Sequence, residues 1–87
     1  MAEQRIGRVT HYFARQNVAG VELTEGSLAV DESIRIRGHA TDFEQVVESM
    51  HRDDDPVEFA EKGKLVSIRV VADARVNDTV YKLLPDG

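Results

Sequence analysis

The chain of 87 residues contains no cysteine. Disulfides and thiolate metal sites are therefore excluded. Two prolines and six glycines are too few for a low-complexity linker. No apolar run reaches membrane-spanning length, and the opening residues, MAEQRIGRV, lack the apolar core of a secretory leader. A soluble, cytoplasmic protein with no membrane contact is the expectation. There is no G-x-x-x-x-G-K-[ST] phosphate-binding loop, so no GTP binding by this chain is expected. No serine sits in a G-x-S-x-G elbow, and a cysteine nucleophile is absent.

What is present describes one small folded domain. Apolar residues make up 41% of the chain, which argues against disorder. A domain of this size buries only about 60% of its unfolded surface, so its apolar residues must be used efficiently. The net charge of −5 is unevenly placed. Residues 1–40 balance five Arg against five acids, whereas residues 41–87 set six Lys and Arg against eleven acids. An acidic half disfavours unspecific nucleic-acid binding but leaves room for a local basic contact.

The hydrophobic pattern is that of strands. Arg5 to Ala14, with Ile6, Val9, Tyr12 and Phe13, reads as a strand, and Gln16-Asn17 as a turn. Val21 and Leu23 alternate with Glu22 and Thr24, and Ile34 and Ile36 alternate with Arg35 and Arg37. Gly20, inside the second strand, implies a bulge or a close backbone approach. Thr41 to Arg52 is ambiguous. Phe43, Val46, Val47 and Met50 fall at helical spacing, yet Val46-Val47 is β-branched and its neighbours read as β. A strand containing Val46 to Met50 is expected. Asp53-Asp54-Asp55-Pro56 interrupts any element. Val57 to Lys62 reads as one helical turn closed by Gly63. Lys64 to Val71 and Thr79 to Leu84 read as strands, with a turn at Asn77-Asp78.

The run Gly26-x-Leu28-x-Val30-x-Glu32-x-Ile34-x-Ile36-x-Gly38 resembles domain II of elongation factor Tu and related translation factors. So do Val47-x-Ser49-Met50 and Pro56-Val57-x-x-Ala60-x-x-Gly63-x-x-Val66-x-Ile68-x-Val70. The opening Ile6-Gly7-Arg8-Val9-Thr10-His11-Tyr12-Phe13 and the closing Asn77-Asp78-x-Val80-Tyr81-Lys82 resemble a narrower group. That group comprises stand-alone elongation-factor-like proteins and the C-terminal barrel of collagenase-like peptidases. The resemblance spans about residues 5–84. It implies an all-β fold, a small closed six-stranded antiparallel β-barrel of the translation-factor domain II type. Residues 1–4 are then a disordered N-terminus and 85–87 a frayed C-terminus. Asp31 stands where the family usually has Gly, and Asp can adopt the left-handed conformation such a turn needs. The expected core is Ile6, Val21, Leu23, Leu28, Val30, Ile34, Ile36, Val66, Ile68, Val70 and Val80.

Few residues point to chemistry. His11, His39 and His51 are far apart and read as ordinary histidines. Asp53-Asp54-Asp55 lacks the alternating ligands of a calcium loop and reads as a solvated acidic turn. No metal, cofactor or enzymatic activity is expected. Arg8, Arg35 and Arg37, with His11 and His39, are the candidate RNA-contacting residues. Arg35 and Arg37 share a strand face about 7 Å apart, a spacing that suits successive phosphates. The weightier reading of the residues alone is a solvent face whose arginines pair with acids on neighbouring strands. What the resemblance implies is a non-catalytic binding module that contacts ribosomal or transfer RNA. The alternative is a protein-interaction adaptor that docks on a partner enzyme such as a collagenase-like peptidase.

Overall fold

A computed structural model describes residues 2–84. Every element among them is a strand. β1 (Ala2–Phe13) and β2 (Val18–Glu22) form a hairpin, followed by β3 (Leu28–Ala29) and β4 (Ser33–Arg37). Then come β5 (Asp42–Val46), β6 (Met50–Arg52), β7 (Asp55–Pro56), β8 (Phe59–Ala60), β9 (Leu65–Arg69) and β10 (Thr79–Leu84). Eight of them form one antiparallel sheet in the order β5-β4-β10-β1-β2-β9-β6-β7, while β3 and β8 pair separately.

The all-β expectation holds, but the closed six-stranded barrel does not. The large sheet ends on β5 at one edge and β7 at the other. Between β5 and β9 a single side chain replaces a ladder. The Gln45 amide donates to the Arg69 carbonyl at 2.7 Å and accepts from the Val71 N–H at 2.9 Å. The chain leaves the strand conformation at Val47–Ser49, so no backbone ladder closes this seam. The expected strand through Val46 to Met50 is accordingly two strands with a break between them. Its helical spacing is incidental, since Phe43 packs against the core while Val47 and Met50 are buried in it.

Two further expectations are corrected. Val57 to Lys62 forms no helical turn, because Phe59–Ala60 pairs with Leu28–Ala29 and the Glu58 carbonyl accepts from Val30 N–H at 2.9 Å. Residues 2–4 are not disordered, since Ala2, Glu3 and Gln4 pair with Leu84, Leu83 and Lys82. The ladder to β10 outweighs the weak local signal of a polar terminus. The expected frayed tail, 85–87, lies outside the described residues.

Local chemistry explains the turns and bends. Asp53 and Asp54 both have positive φ, 51° and 68°, as the two central residues of a tight hairpin between β6 and β7. Such two-residue hairpins favour Asn, Asp and Gly. Asp31 has φ 77°, as its turn requires. β1 carries two bulges, one between Arg5 and Gly7 against β10 and one between Val9 and His11 against β2. Bulges bend and twist a strand, which lets twelve residues run along two different neighbours. At the first, a side chain on Gly7 would overlap the Glu22 backbone carbonyl. At the second, Gly20 lies opposite the bulge, and a Cβ there would be 3.2 Å from Thr10 Oγ1.

The inward rows of both sheets meet in one core. Ten of the eleven expected core residues are buried, and Val30 is half-buried against them. Val9, Ala19, Val47, Met50, Ala60 and Ala74 complete the interior. No buried side-chain nitrogen or oxygen among the described residues lacks a partner.

Candidate functional site

The strongest concentration of charge lies on the outer face of β1, β10, β4 and β5. Alternation along β4 turns Ile34 and Ile36 inward and Arg35 and Arg37 outward. Arg35 stands between Tyr81 on β10 and Glu44 on β5, and Arg37 between Thr79 and Asp42. Arg35 grips Asp42 with two parallel bonds, Nε to Oδ1 at 2.8 Å and Nη2 to Oδ2 at 2.9 Å. Its Nη1 reaches Glu3 Oε2 at 3.0 Å. This forked geometry is the strongest form of an arginine–carboxylate contact. Arg37 approaches the other Glu3 oxygen at 3.7 Å and lies over the Tyr81 ring, 4.8 Å from its centroid.

The electrostatics follow from these contacts. The Arg35 guanidinium holds the Asp42 carboxyl below the ordinary carboxylate range. Asp42, and after it Glu3, hold Arg35 more firmly charged than usual. Elsewhere, the hydrogen bond from Tyr12 to Asp73, at 2.8 Å, raises the Tyr12 phenol above its ordinary value. A shallow depression beside Arg35 is lined by Glu3, Glu44 and Leu83. It brings together ion-paired groups, with no serine or histidine among its lining residues. Among the described residues no group of three or more His, Asp or Glu is placed to hold a metal ion.

The candidate residues are only partly united. Arg8, Thr79 and Arg37 lie in one cross-strand row, so Arg8, Arg35 and Arg37 share an outer face. Each of the three is engaged by carboxylate, Arg8 by Glu22 at 3.1 Å. His11 lies beyond the second bulge, with Nδ1 3.2 Å from Thr10 Oγ1 and its ring stacked on Phe13. His39 is exposed in the bend after β4. Glu3, Asp42 and Tyr81 were missed as members of this network. The alternation of Glu3 and Arg5 was the available signal for the first.

No family model matches the chain. The structure superposes on the crystal structure of the C-terminal domain of a Geobacillus thermoleovorans protein assigned to the U32 peptidases, with a TM-score of 0.86. The match covers 93% of each chain at 18% identity. The fold is that of a U32 peptidase C-terminal domain. In sequence, the chain is 37% identical over 79 residues to an uncharacterised protease of Methanocaldococcus jannaschii, covering 90% of this chain and 19% of that protein. It is 35% identical over 78 residues to a collagenase of Porphyromonas gingivalis, covering 88% of this chain and 22% of that protein. The chain thus spans about a fifth of the length of the curated relatives it matches.

These relatives correct the translation-factor reading. They are peptidase-associated domains, so the expected contact with ribosomal or transfer RNA loses the resemblance on which it rested. The physical reason is visible in the fold. The Gly26-to-Gly38 run builds β3, the Asp31 turn and β4. Its spacing reports a strand–turn–strand unit that unrelated small β-domains share. Of the two groups that the terminal motifs resembled, the collagenase-like peptidases are the one the comparisons support. No helix among the described residues is long and apolar enough to cross a membrane.

Proposed function

We propose that this chain is a non-catalytic accessory domain that works by docking on a collagenase-like peptidase. The observation that carries the reading is the match along nearly its whole length to a domain at the C-terminus of a U32 peptidase. The relatives named protease and collagenase support it, because the matching fifth leaves most of each protein for the catalytic part. The architecture is consistent with binding. Most of its apolar residues are spent on one packed core, and its charged face is locked in ion pairs rather than poised for proton transfer.

A peptidase assay tests this reading. The Porphyromonas relative, with the segment that matches this chain deleted, is assayed on gelatin with and without this chain added in trans. The chain alone is expected to hydrolyse nothing, and its addition to change the rate or the substrate binding of the truncated enzyme. Hydrolysis by the chain alone, or no effect in trans at saturating concentration, would overturn the proposal.

A further inference from the structure

Strands β4 and β10 carry no Asp or Glu, and neither do the parts of β1, β2 and β9 that lie side by side, apart from Glu22. Residues 9–21 and 62–72 hold no Asp or Glu, although the chain has sixteen. The first segment covers the end of β1 and all of β2 but Glu22, and the second covers β9. β2 and β9 pair from Val18–Arg69 to Glu22–Leu65. On the outer face, Phe13, Val18 and Arg69 form one row, and His11, Gly20 and Ser67 the next. Phe13 is 48% exposed and is stacked with the His11 ring at 6.1 Å. Leu65, at the far end of β9, is 53% exposed.

The cations here differ from those of the opposite edge. Arg5, Arg8, Arg35, Arg37 and Lys82 each pair with a carboxylate. Among the described residues, Arg15 in the β1–β2 turn and Arg69 on β9 pair with none. The carboxylates at the rim are already engaged, Glu22 by Arg8 and Asp73 by Tyr12. The face therefore combines free arginine, an exposed aromatic ring and a flat floor of Gly20 and Ser67. Charge-depleted surfaces with aromatic and arginine anchors are the composition of interface cores.

We infer that this outer face of β1, β2 and β9 is the docking face for an acidic, partly apolar surface on the peptidase domain with which the reading above pairs the chain. Charge decides the occupant. A chain of net −5 repels an acidic surface over most of its own. A face whose one carboxylate, Glu22, is already neutralised by Arg8, and which carries the unpaired Arg15 and Arg69, is where such a surface can approach, and it fixes the orientation of the encounter. Phe13 and Leu65 then supply the buried apolar contact. The inference rests on the accessory-domain reading for the identity of the partner, though not for its chemistry.

The test is an NMR titration of the 15N-labelled chain, with dispersion of the spectrum confirming that each variant is folded. The probes are a short soluble peptide of Glu and Leu, its Lys and Leu counterpart, a single-stranded RNA oligonucleotide, and the truncated Porphyromonas peptidase. The Glu–Leu peptide and the peptidase are expected to shift residues 11–20 and 65–71. Arg69→Glu and Phe13→Ser should each weaken both by about tenfold or more, as anchor residues do. Arg75→Glu, in the β9–β10 connection, should leave both unchanged. Tighter binding of the RNA or the lysine peptide would overturn the inference. So would peptidase binding that survives Arg69→Glu and Phe13→Ser, and that result would leave the accessory-domain reading standing. Shifts by the Glu–Leu peptide without binding of the peptidase would keep the chemistry of the face and reject the partner.

Discussion

At the scale of residues, stability rests on a few fully buried side chains whose positions alternation makes plain. Ile36 and Ile68 are 0% and 1% exposed and stand on strands of different parts of the sheet. Truncation to Ala leaves a cavity as well as losing transfer energy, so Ile36→Ala and Ile68→Ala are each expected to cost about 2–5 kcal/mol. Urea midpoints measure this, and unchanged midpoints would refute the core assignment. The Arg35–Asp42 fork makes a different demand. Asp42 has a depressed carboxyl pKa in the folded chain. Its contribution is complete above the unfolded carboxylate range of about pH 4 and is lost as pH falls through the lower folded value. Asp42→Asn should therefore lower stability at neutral pH and leave less to lose on acidification below about pH 4. The pair is exposed, so salt should shrink the difference at neutral pH. Denaturation curves of both proteins across pH check the sign. These residues show what was legible in the sequence. Ile34, Ile36, Arg35 and Arg37 fell on their faces because a strand has period two. Glu3 and Asp42 were not legible as their partners, because cross-strand neighbours depend on register, which one sequence does not display.

Among the elements, hairpin β6–β7 and the seam between β5 and β9 carry the lessons. Asp53-Asp54-Asp55 was read as a solvated acidic turn, and Asp53 and Asp54 do form one, but with both residues in the left-handed conformation, which that reading did not include. Charge was the conspicuous property, and conformation was the relevant one. Asp54→Gly should remove left-handed strain and one of three adjacent charges. A gain of a few tenths to about 1 kcal/mol is expected, partly offset by glycine's greater chain entropy. A thermal melt that moves down would contradict this turn geometry. At the seam, the Gln45 amide satisfies one carbonyl and one N–H of the β9 end. Gln45→Ala should cost about 1–2 kcal/mol, for two hydrogen bonds at a partly solvated site. Hydrogen exchange at Val71 should accelerate more than at Val66 or Ile68, which remain inside the β2–β9 ladder. Equal acceleration throughout would mean that Gln45 supports the whole sheet rather than its seam. Nothing in the sequence marked Gln45, since a glutamine on a half-buried strand is ordinary until its partner strand is known.

For the whole molecule, a sheet of eight strands and a two-stranded ribbon enclose a core that leaves its outer faces for contacts. One face is internally neutralised by arginine–carboxylate pairs, and the other carries a single acid, Glu22, held by Arg8. The all-β class and most of the core were legible because they depend on local periodicity. Closure was not, because it depends on where Val47–Ser49 leave the strand conformation. The translation-factor likeness misled for the same reason that the periodicity succeeded: both report local β-units, and function lies in the faces those units present. The central claim is that this domain acts by binding a peptidase. The most direct measurement is sedimentation velocity of the purified chain with the Methanocaldococcus relative lacking its matching segment, at low and moderate salt. A complex at low salt that weakens as salt rises is the expected result, since charge steers the contact. No complex at low salt would contradict the claim.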